Sequence, residues 1–286
     1  MAEVQTTPIT ESDADEVARF LHRELNSRVS VGGWKALLLP PWPHAGPHRG
    51  YQLHVDGELV GVYAAVFSQR PTADGAPVRV CNLAAFCVRE EHRMHSVRLI
   101  RALLAQRDCQ FTDLSPSGNV VAMNERLGFR RLDTGTRLIV NVPRRGRGIR
   151  ISADPEVLAA TLRGRDREIH RDHTSAAAAR HLLVQHGDDY AYLVFRVVTR
   201  KRLRAFAAPL YAGGDRALLE RAWPQVRSHL LTRHGLPFVL AERRILGFAT
   251  GIGAELTQPR PKMVRGDLMP DDAVDYLYSE LVLVDW

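Results

Sequence analysis

The residues from Val88 to Leu104 carry the clearest chemical signal in the chain. An apolar run ends at Val88 and a helical spacing begins after Glu90, with Arg93 and Arg98 nearby. A strand that turns tightly into a helix leaves backbone N–H groups free at the positive end of the helix dipole. Such a helix start binds phosphate, and two guanidinium groups add positive charge. The segment therefore predicts a pyrophosphate site.

A second group of polar residues follows the next apolar run. Gln110 to Leu114 has the pattern of a short strand, with Asp113 near its end and Ser115 just after it. A carboxylate at a strand end can hold or deprotonate an amine, and a hydroxyl group can supply a proton. We predict Asp113 and Ser115 as catalytic residues. The alternative for Asp113 is a purely structural hydrogen bond.

Two histidines in the second half are further candidates for acid–base chemistry. The chain contains His170-Arg-Asp-His173, and the ordinary pKa of histidine suits a general base. We include His173 as a candidate base that Asp172 could orient. The motif lacks a clear third ligand, so we predict no metal site. The simpler interpretation is a solvated polar turn.

Alternating helix and strand patterns position these residues in the first half. Ser12 or Asp13 can cap a first helix, a proline-rich loop covers 39–50, and Asp56-Gly57 predicts a tight hairpin turn. Strands are predicted at 51–55, 59–67, 78–88, 110–114 and 138–142, and further helices at 90–104 and 119–127.

The second half repeats this order with little similarity between residues. Helices are predicted at 154–162, 175–185, 215–234 and 271–279, a hairpin at 190–211 turning at 199–202, and strands at 236–241 and 280–284. Four arginines, two glycines and a proline in 143–150 indicate a linker. We predict two related α/β domains, 1–143 and 152–286, joined by an Arg/Gly-rich linker at 144–151.

The order of these elements resembles the GNAT superfamily of acyl-CoA-dependent N-acyltransferases over about residues 9–142. The family signature is a strand, then Gln/Arg-x-x-Gly-x-Gly/Ala opening a helix, then a strand and a helix that closes with Leu-Gly-Phe. Here Arg93-Met-His-Ser96-Val-Arg98 occupies the loop, with serine and arginine in place of the two small residues. Leu127-Gly-Phe129 matches the closing motif.

The resemblance implies both a fold and a set of cofactor contacts. It implies a mixed, mostly antiparallel sheet flanked by helices in each of two tandem domains, the second degenerate. Acetyl-CoA or another acyl-CoA would be the donor substrate, and no metal is expected. The predicted cofactor-binding residues are Phe86, Cys87 and Val88 along the pantetheine arm, Arg93, Met94, His95, Ser96, Val97 and Arg98 around the pyrophosphate, and Asn119.

Two departures from the family pattern affect the predicted chemistry. Many members protonate the leaving thiolate with a tyrosine four residues before the glycine of Leu-Gly-Phe, and that position is Asn124 here. Asparagine cannot act as an acid, which leaves Ser115, Ser117, Asn119 or a water for this role. In the second half, Gly213-Gly-Asp215 could be a relic of the loop, but an acidic helix cap repels phosphate.

These residues predict transfer of an acyl group from CoA to an amine of a small molecule, such as a sugar, an amino acid or a biosynthetic intermediate. The chain's tail resembles those of acyltransferase-like proteins found with bacterial polysaccharide or small-molecule biosynthesis. Two alternatives stay open: an aminoacyl-tRNA-dependent transferase and a non-catalytic GNAT-like scaffold. A net charge of +7 and the arginines in 144–150 suit RNA phosphates. The lack of interleaved aromatic and basic residues argues against a nucleic-acid partner.

Composition sets the remaining expectations. The 286 residues suffice for two domains with cores of their own. No apolar stretch approaches the roughly 18 residues that a membrane span needs, and the first residues lack a signal-peptide pattern. Cys81, Cys87 and Cys109 form no Cys-x-x-Cys pair, which fits a reducing compartment. We therefore expect a cytoplasmic monomer or homodimer without a membrane span.

Overall fold

The chain folds into two compact units. The computed structural model describes residues 2–72, 75–144, 146, 148–200, 202–248 and 250–285. Unit 1 comprises Met1–Leu132, Pro261–Val274 and Tyr278–Asp285, and unit 2 comprises Asp133–Arg260 and Asp275–Leu277. Each unit therefore contains a long continuous stretch of chain together with residues from the carboxyl-terminal segment.

The described residues form both strands and helices in each half of the chain. The strands are β1 Val4–Pro8, β2 Gly50–Val55, β3 Glu58–Pro71, β4 Pro77–Val88, β5 Gln110–Asp113, β6 Arg130–Arg131, β7 Thr136–Val140, β8 Arg150–Ser152, β9 Arg180–His186, β10 Asp189–Arg200, β11 Leu203–Gly214, β12 Phe238–Glu242, β13 Ala254–Glu255 and β14 Met263–Arg265. The helices are α1 Ala14–Glu24, α2 Val31–Leu38, α3 Ser96–Leu104, α4 Gly118–Arg126, α5 Pro155–Thr161, α6 Gly164–His173, α7 Arg216–His234, α8 Arg243–Leu246 and α9 Glu280–Leu283, with 3₁₀ helices at Glu90–His95 and Asp271–Ala273.

Unit 1 is built on a seven-stranded sheet in the order β1-β2-β3-β4-β5-β14-β6. Neighbours from β1 to β4 run antiparallel, β4 and β5 run parallel, and β14 runs antiparallel to both β5 and β6. The Asp56-Gly57 hairpin is confirmed, with φ of 49° and 82°, the positive values that a tight two-residue turn requires. The apolar side of α3 packs against the sheet, where Leu99, Ile100 and Leu103 are buried.

Unit 2 is built on a second seven-stranded sheet in the order β13-β7-β12-β11-β10-β9-β8. The predicted hairpin of β10 and β11 and the predicted long helix α7 are both present. Asp215 caps α7 as predicted, and Gly235 ends it at a φ of 66°. The core of this unit forms where Leu219, Trp223 and Val226 of α7 pack against the central strands.

The two units repeat one strand register. In unit 1, Val80 and Cys81 of β4 lie beside Gln110 and Phe111 of β5. In unit 2, Phe206 and Ala207 of β11 lie beside Phe238 and Val239 of β12. Both crossovers are parallel, and in each unit a β-bulge follows on the first of these strands.

The bulges occupy matching positions. The pairing of β3 with β4 skips Ala84, three positions after Cys81, and the pairing of β10 with β11 skips Leu210, three positions after Ala207. Each bulge inserts one extra residue and bends its strand. Together with the matching register, it confirms two tandem halves of the same mixed α/β fold class.

The division between the units differs from the predicted boundary near residue 143. The predicted strand at 138–142 is β7, and it pairs with β12 and β13 in the sheet of unit 2. In unit 1 the corresponding place, next to β5, is taken by β14 from the carboxyl-terminal segment. Each sheet therefore includes a strand from the other predicted domain: β14 in the sheet of unit 1 and β7 in the sheet of unit 2. Of the predicted linker at 144–151, Arg145 and Arg147 lie outside the described residues.

Several predicted elements have a different conformation. The alanine-rich 175–185 segment was predicted as a helix, but Arg180–His186 is β9, because pairing with β10 outweighs the helical propensity of alanine. The helix predicted at 271–279 is limited to a 3₁₀ turn at Asp271–Ala273. The predicted strand at 280–284 is the short helix α9, capped by Ser279, because a short apolar run does not distinguish the two conformations. The helices α2 and α6 were not predicted.

Candidate functional site

The central strands of unit 1 separate part-way along β4. Among the described residues, β4 pairs with β5 only at Val80–Asn82, opposite Gln110–Thr112. β5 ends one residue later at Asp113, whereas β4 continues through the bulge at Ala84 to Val88. The second half of β4 thus presents backbone groups toward an opening instead of a strand. Backbone groups at such a place need another hydrogen-bonding partner, which can be water or a ligand.

A buried polar cluster lies at the closed end of this opening. The Asn82 side chain on β4 donates a hydrogen bond to Glu280 Oε2 at 2.5 Å and accepts one from the Thr112 hydroxyl at 3.1 Å. The Ser115 hydroxyl donates to the other carboxylate oxygen, Oε1, at 2.6 Å. Glu280 is fully buried, so these two donors replace the water that its charge would otherwise bind.

Asp113 forms the second carboxyl group of the cluster. Its Oδ2 accepts a hydrogen bond from the Asn124 side chain at 2.8 Å, and the residue is buried. Burial, with the negative charge of Glu280, raises the pKa of Asp113 to about 7. Burial and Asp113 also raise the pKa of Tyr63 on β3 well above its usual value. At neutral pH, the site therefore contains two carboxyl groups that share less than two negative charges.

The predicted cofactor residues fall into two groups. Phe86, Cys87 and Val88 are half-buried on the part of β4 that lies beyond its pairing with β5, as expected for a strand that contacts an elongated ligand. The Phe86 ring packs against Tyr63 with ring centroids 4.7 Å apart. Burial raises the pKa of the Cys87 thiol to about 11, so this cysteine is a thiol at neutral pH.

The predicted pyrophosphate turn is a 3₁₀ helix, Glu90–His95, that continues directly into α3. The Ser96 N–H donates to the Arg93 carbonyl, so this N–H is already used within the turn. Arg98 donates to the Val4 carbonyl on β1 at 3.1 Å, and Arg93 lies 3.5 Å from Glu90 at the surface. No side chain caps α3, and its first residue follows the 3₁₀ helix directly.

The remaining predicted residues lie apart from this cluster. Met94 and Val97 are exposed, and Asn119 is exposed in the first turn of α4. His173 belongs to unit 2, where it is completely buried at the end of α6 and its Nδ1 lies 2.8 Å from the Ile169 carbonyl. Its neighbour Asp172 accepts a hydrogen bond from Arg171. The ring is therefore part of the buried interior of unit 2, and its role as a base stays a prediction.

Two residues of the cluster, Asn82 and Glu280, were missed from the sequence. Asn82 interrupts an otherwise apolar stretch of β4, and Glu280 precedes the apolar run Leu281–Val284. A lone polar residue in a buried apolar run needs a partner, which is the signal that could have identified them. No sequence pattern, however, links two positions separated by almost two hundred residues.

The corresponding positions of unit 2 are apolar. When the two registers are superposed, Ala208 takes the place of Asn82 and Ala241 takes the place of Asp113. The turn before the helix is also different. Asp215 Oδ1 accepts hydrogen bonds from the Ala217 and Leu218 N–H groups at 2.8 and 3.1 Å, so a carboxylate of the chain occupies the start of α7. At these described positions unit 2 therefore has alanines in place of Asn82 and Asp113, and a helix start that its own carboxylate caps.

Two further properties of the described residues bear on the site. No helix among them has the length and apolar character to cross a membrane. No group of three or more histidine, cysteine, aspartate or glutamate side chains among them is arranged to hold a metal ion.

The sequence itself matches neither a protein-family model nor a curated protein. Solved structures do resemble it. A GCN5-related N-acetyltransferase from Kribbella flavida aligns over 92% of this chain and 71% of its own, with a TM-score of 0.58 and 14% identity. One from Anabaena variabilis aligns over 92% and 72%, with a TM-score of 0.56 and 10% identity.

A third similar structure has nearly the same length as this chain. It comes from Pyrococcus horikoshii, carries a provisional acetyltransferase assignment, and aligns over 96% of this chain and 95% of its own, with a TM-score of 0.54 and 14% identity. At such identities these likenesses establish a common fold.

Proposed function

We propose that this chain, whose fold is that of the GCN5-related N-acetyltransferases, is an N-acyltransferase that moves an acyl group from acyl-CoA to an amine of a small molecule. The observation that carries the proposal is the part of β4 that has no partner in β5, which begins at a cluster of two carboxyl groups, two hydroxyl groups and two amide side chains. Such clusters of perturbed titratable groups occur preferentially at functional sites. All residues of this cluster belong to unit 1, so we assign the reaction to unit 1.

The residues of unit 1 fit an acyl-CoA in part. Phe86–Val88 offers strand backbone without a neighbour in β5, and such backbone can hydrogen-bond an elongated pantetheine arm. Arg93 and His95 supply donors near the start of α3, and the uncapped first turn favours phosphate. Glu90 and Glu91 at the start of the 3₁₀ turn oppose it. Acyl-CoA would supply the activated acyl group, and the remaining chemistry belongs to the protein.

The cluster can assist this transfer by position and by charge. An acyl transfer gains much of its rate from holding the amine against the thioester carbonyl. Asn124 occupies the place of the family tyrosine and donates to Asp113, so this residue supports a carboxyl group in place of a phenol. With a pKa of about 7, Asp113 is partly protonated at neutral pH and could donate a proton to the leaving thiolate. Ser115 is the half-buried member that faces outward.

Calorimetric binding of acetyl-CoA and of CoA tests the proposal. We expect micromolar binding by the wild type and none by Ser96→Glu, because a carboxylate at the first residue of α3 would repel the pyrophosphate. Ser27→Glu is the matched control, since Ser27 is exposed and the charge change is the same. The amine acceptor would then be sought among amino sugars, amino acids and their derivatives.

Each outcome of this experiment has a definite meaning. Equal binding by the wild type and by Ser96→Glu would place the cofactor away from α3. Absence of binding by the wild type would refute acyl-CoA as the donor and would favour an RNA-borne acyl group or a non-catalytic role.

A further inference from the structure

We infer that Glu280, from the carboxyl-terminal segment, is the proton acceptor of unit 1 and that Ser115 passes the proton of the acceptor amine to it. The inference rests on the proposed acyl transfer and assigns to it a residue that lies outside residues 9–142, where the sequence resembles the GNAT signature. It requires three things of the structure: a continuous hydrogen-bonded path, a negative charge at its inner end, and a fixed position for the segment that carries Glu280.

The path has an accessible outer end and a buried inner end. Ser115 is half-buried and lies two residues after the end of β5, beyond the pairing of β4 with β5. Its hydroxyl already donates to Glu280 Oε1 at 2.6 Å, so its oxygen lone pairs are free to face a substrate amine. Glu280 itself is fully buried and can exchange protons with a ligand only through such a neighbour.

The hydrogen bonds around Glu280 favour its charged form. Its two oxygens accept from an amide group and a hydroxyl, and donors directed at a carboxylate stabilise the anion. Burial and the negative charge of Glu280 raise the pKa of Asp113 to about 7, so Asp113 is the carboxyl group of the cluster that is partly protonated near neutrality. Among the described residues, Tyr63 lies near Asp113 and Cys81 lies near Tyr63, and burial raises the pKa of both well above the usual value. Arg70 stacks on the ring of Tyr278, two residues before Glu280.

Side-chain contacts hold the segment that carries Glu280 and offset an unfavourable backbone conformation at Tyr278. Tyr278 adopts a left-handed backbone conformation with a φ of 55°, which is unfavourable for tyrosine. Its ring packs edge-on against Trp42 at 5.0 Å and beneath the Arg70 guanidinium at 4.6 Å. Ser279 then caps α9 by accepting from the Leu281 N–H. These contacts direct Glu280 toward β4 instead of solvent.

The proposed step balances in atoms and charge. The neutral amine nitrogen attacks the thioester carbonyl carbon, forming the C–N bond, and the C–S bond breaks as the thiolate leaves. The proton lost by nitrogen goes to Ser115 Oγ while the hydroxyl proton of Ser115 moves to Glu280 Oε1. The thiolate is protonated by Asp113 or by solvent, and Glu280 returns its proton to solvent after the amide product leaves.

The pH dependence of transfer tests the inference. We would follow release of CoA thiol from acetyl-CoA with glucosamine as the amine probe, using wild type, Glu280→Gln and Asp272→Asn and subtracting the rate without protein. Asp272 is an exposed carboxylate of the same segment and serves as the matched control. We expect Glu280→Gln to lower kcat about 100-fold with acetyl-CoA binding unchanged, and to abolish the rise of rate with pH that deprotonation of Glu280 produces. Ser115→Ala should lower kcat about tenfold, since a water can partly replace the hydroxyl.

A second measurement does not depend on turnover. The side-chain carboxyl ¹³C shift of Glu280, assigned by its loss in Glu280→Gln, should report an ionised group at about pH 8. A Glu280 that remains protonated there would overturn the inference. So would a wild-type rate and pH profile in Glu280→Gln. Failure of the proposed function looks different, because the wild type would then bind no acetyl-CoA even if Glu280 titrates as expected.

Discussion

The two units share a strand register and a β-bulge but differ in what they place at the same positions. Unit 1 has Asn82 and Asp113 where unit 2 has Ala208 and Ala241. Polar groups in the interior are tolerated only when each finds a hydrogen-bonding partner. In unit 1 those partners come from Thr112, Asn124 and the carboxyl-terminal Glu280, and in unit 2 the side chains are apolar and need none.

The helix starts differ in the same sense. In unit 2, Asp215 satisfies the first N–H groups of α7 and adds a negative charge there. In unit 1, a 3₁₀ turn precedes α3 and no side chain caps the helix. A helix capped by its own carboxylate is stable without a ligand, whereas an uncapped helix start retains affinity for an anion. At the matched positions, unit 1 combines a buried polar cluster with an uncapped helix, and unit 2 has apolar side chains and a helix capped by Asp215.

Removal of the carboxyl-terminal segment should produce the largest difference in stability between the two units. A chain that ends after Arg260 loses β14, whose Met263 and Val264 are completely buried between β5 and β6. Loss of two such side chains costs more than about 4 kcal/mol, enough to unfold a marginally stable unit. Hydrogen exchange should show a larger loss of protection in β3 and β4 than in β10 and β11, because unit 2 loses only Asp275–Leu277 among its described residues. An equal loss in both sheets would contradict the larger share of this segment in unit 1.

The pH dependence of stability should distinguish the units next. The folded pKa of Asp113 is about 7 against an ordinary 3.8, so the folded state holds this proton more tightly. The resulting stabilisation is complete below about pH 4 and is lost as the pH rises to about 7, at most about 4 kcal/mol. Asp113→Asn has no such proton. The difference in unfolding free energy between wild type and variant, measured by denaturant titration across this range, should change with pH.

Two carboxylates outside the cluster provide controls for this measurement. Asp272→Asn and Asp188→Asn alter exposed groups in units 1 and 2, respectively, and should leave the pH dependence of the wild type intact. A pH-independent difference for Asp113→Asn would mean that its carboxyl group titrates normally.

Exchanging the residues at one matched position should have unequal effects. Asn82→Ala removes a donor to the buried Glu280 and an acceptor for Thr112, at a cost of about 2–3 kcal/mol. Ala208→Asn adds an amide at a half-buried position of unit 2 and should cost less than about 1 kcal/mol. Thermal unfolding of the two single variants checks the inequality. Similar losses would show that the polar cluster contributes no more than an ordinary packing position.

The smallest expected effect concerns the capping of α7. Asp215→Ala removes the two hydrogen bonds at the helix start and should lower the unfolding free energy by about 1 kcal/mol. His95→Ala is the comparison in unit 1 and should change stability little, because His95 makes no capping bond. A large loss for His95→Ala would mean that α3 depends on this residue after all. Denaturant midpoints measure both effects.

Local sequence patterns predicted much of the fold correctly. The strands β2 to β5, the Asp56-Gly57 turn and the Asp215 cap all follow from interactions within a few residues, which periodicity and capping preferences describe. The predicted site was only partly assembled. Asp113 and Ser115 lie together, but His173 is buried in the core of unit 2. The position of a histidine on a short motif does not reveal whether its helix buries that face.

The sequence by itself determined the local conformations, the tandem order of elements and the strand–turn–helix segment after β4. The tertiary structure alone decided which strands complete each sheet and which residues meet at the end of β5. β7 and β14 are short and apolar, and either pattern suits any open sheet edge. Asn82 and Glu280 meet only because the chain returns to unit 1 after completing unit 2. Contacts of that separation depend on the whole fold, so no local pattern encodes them.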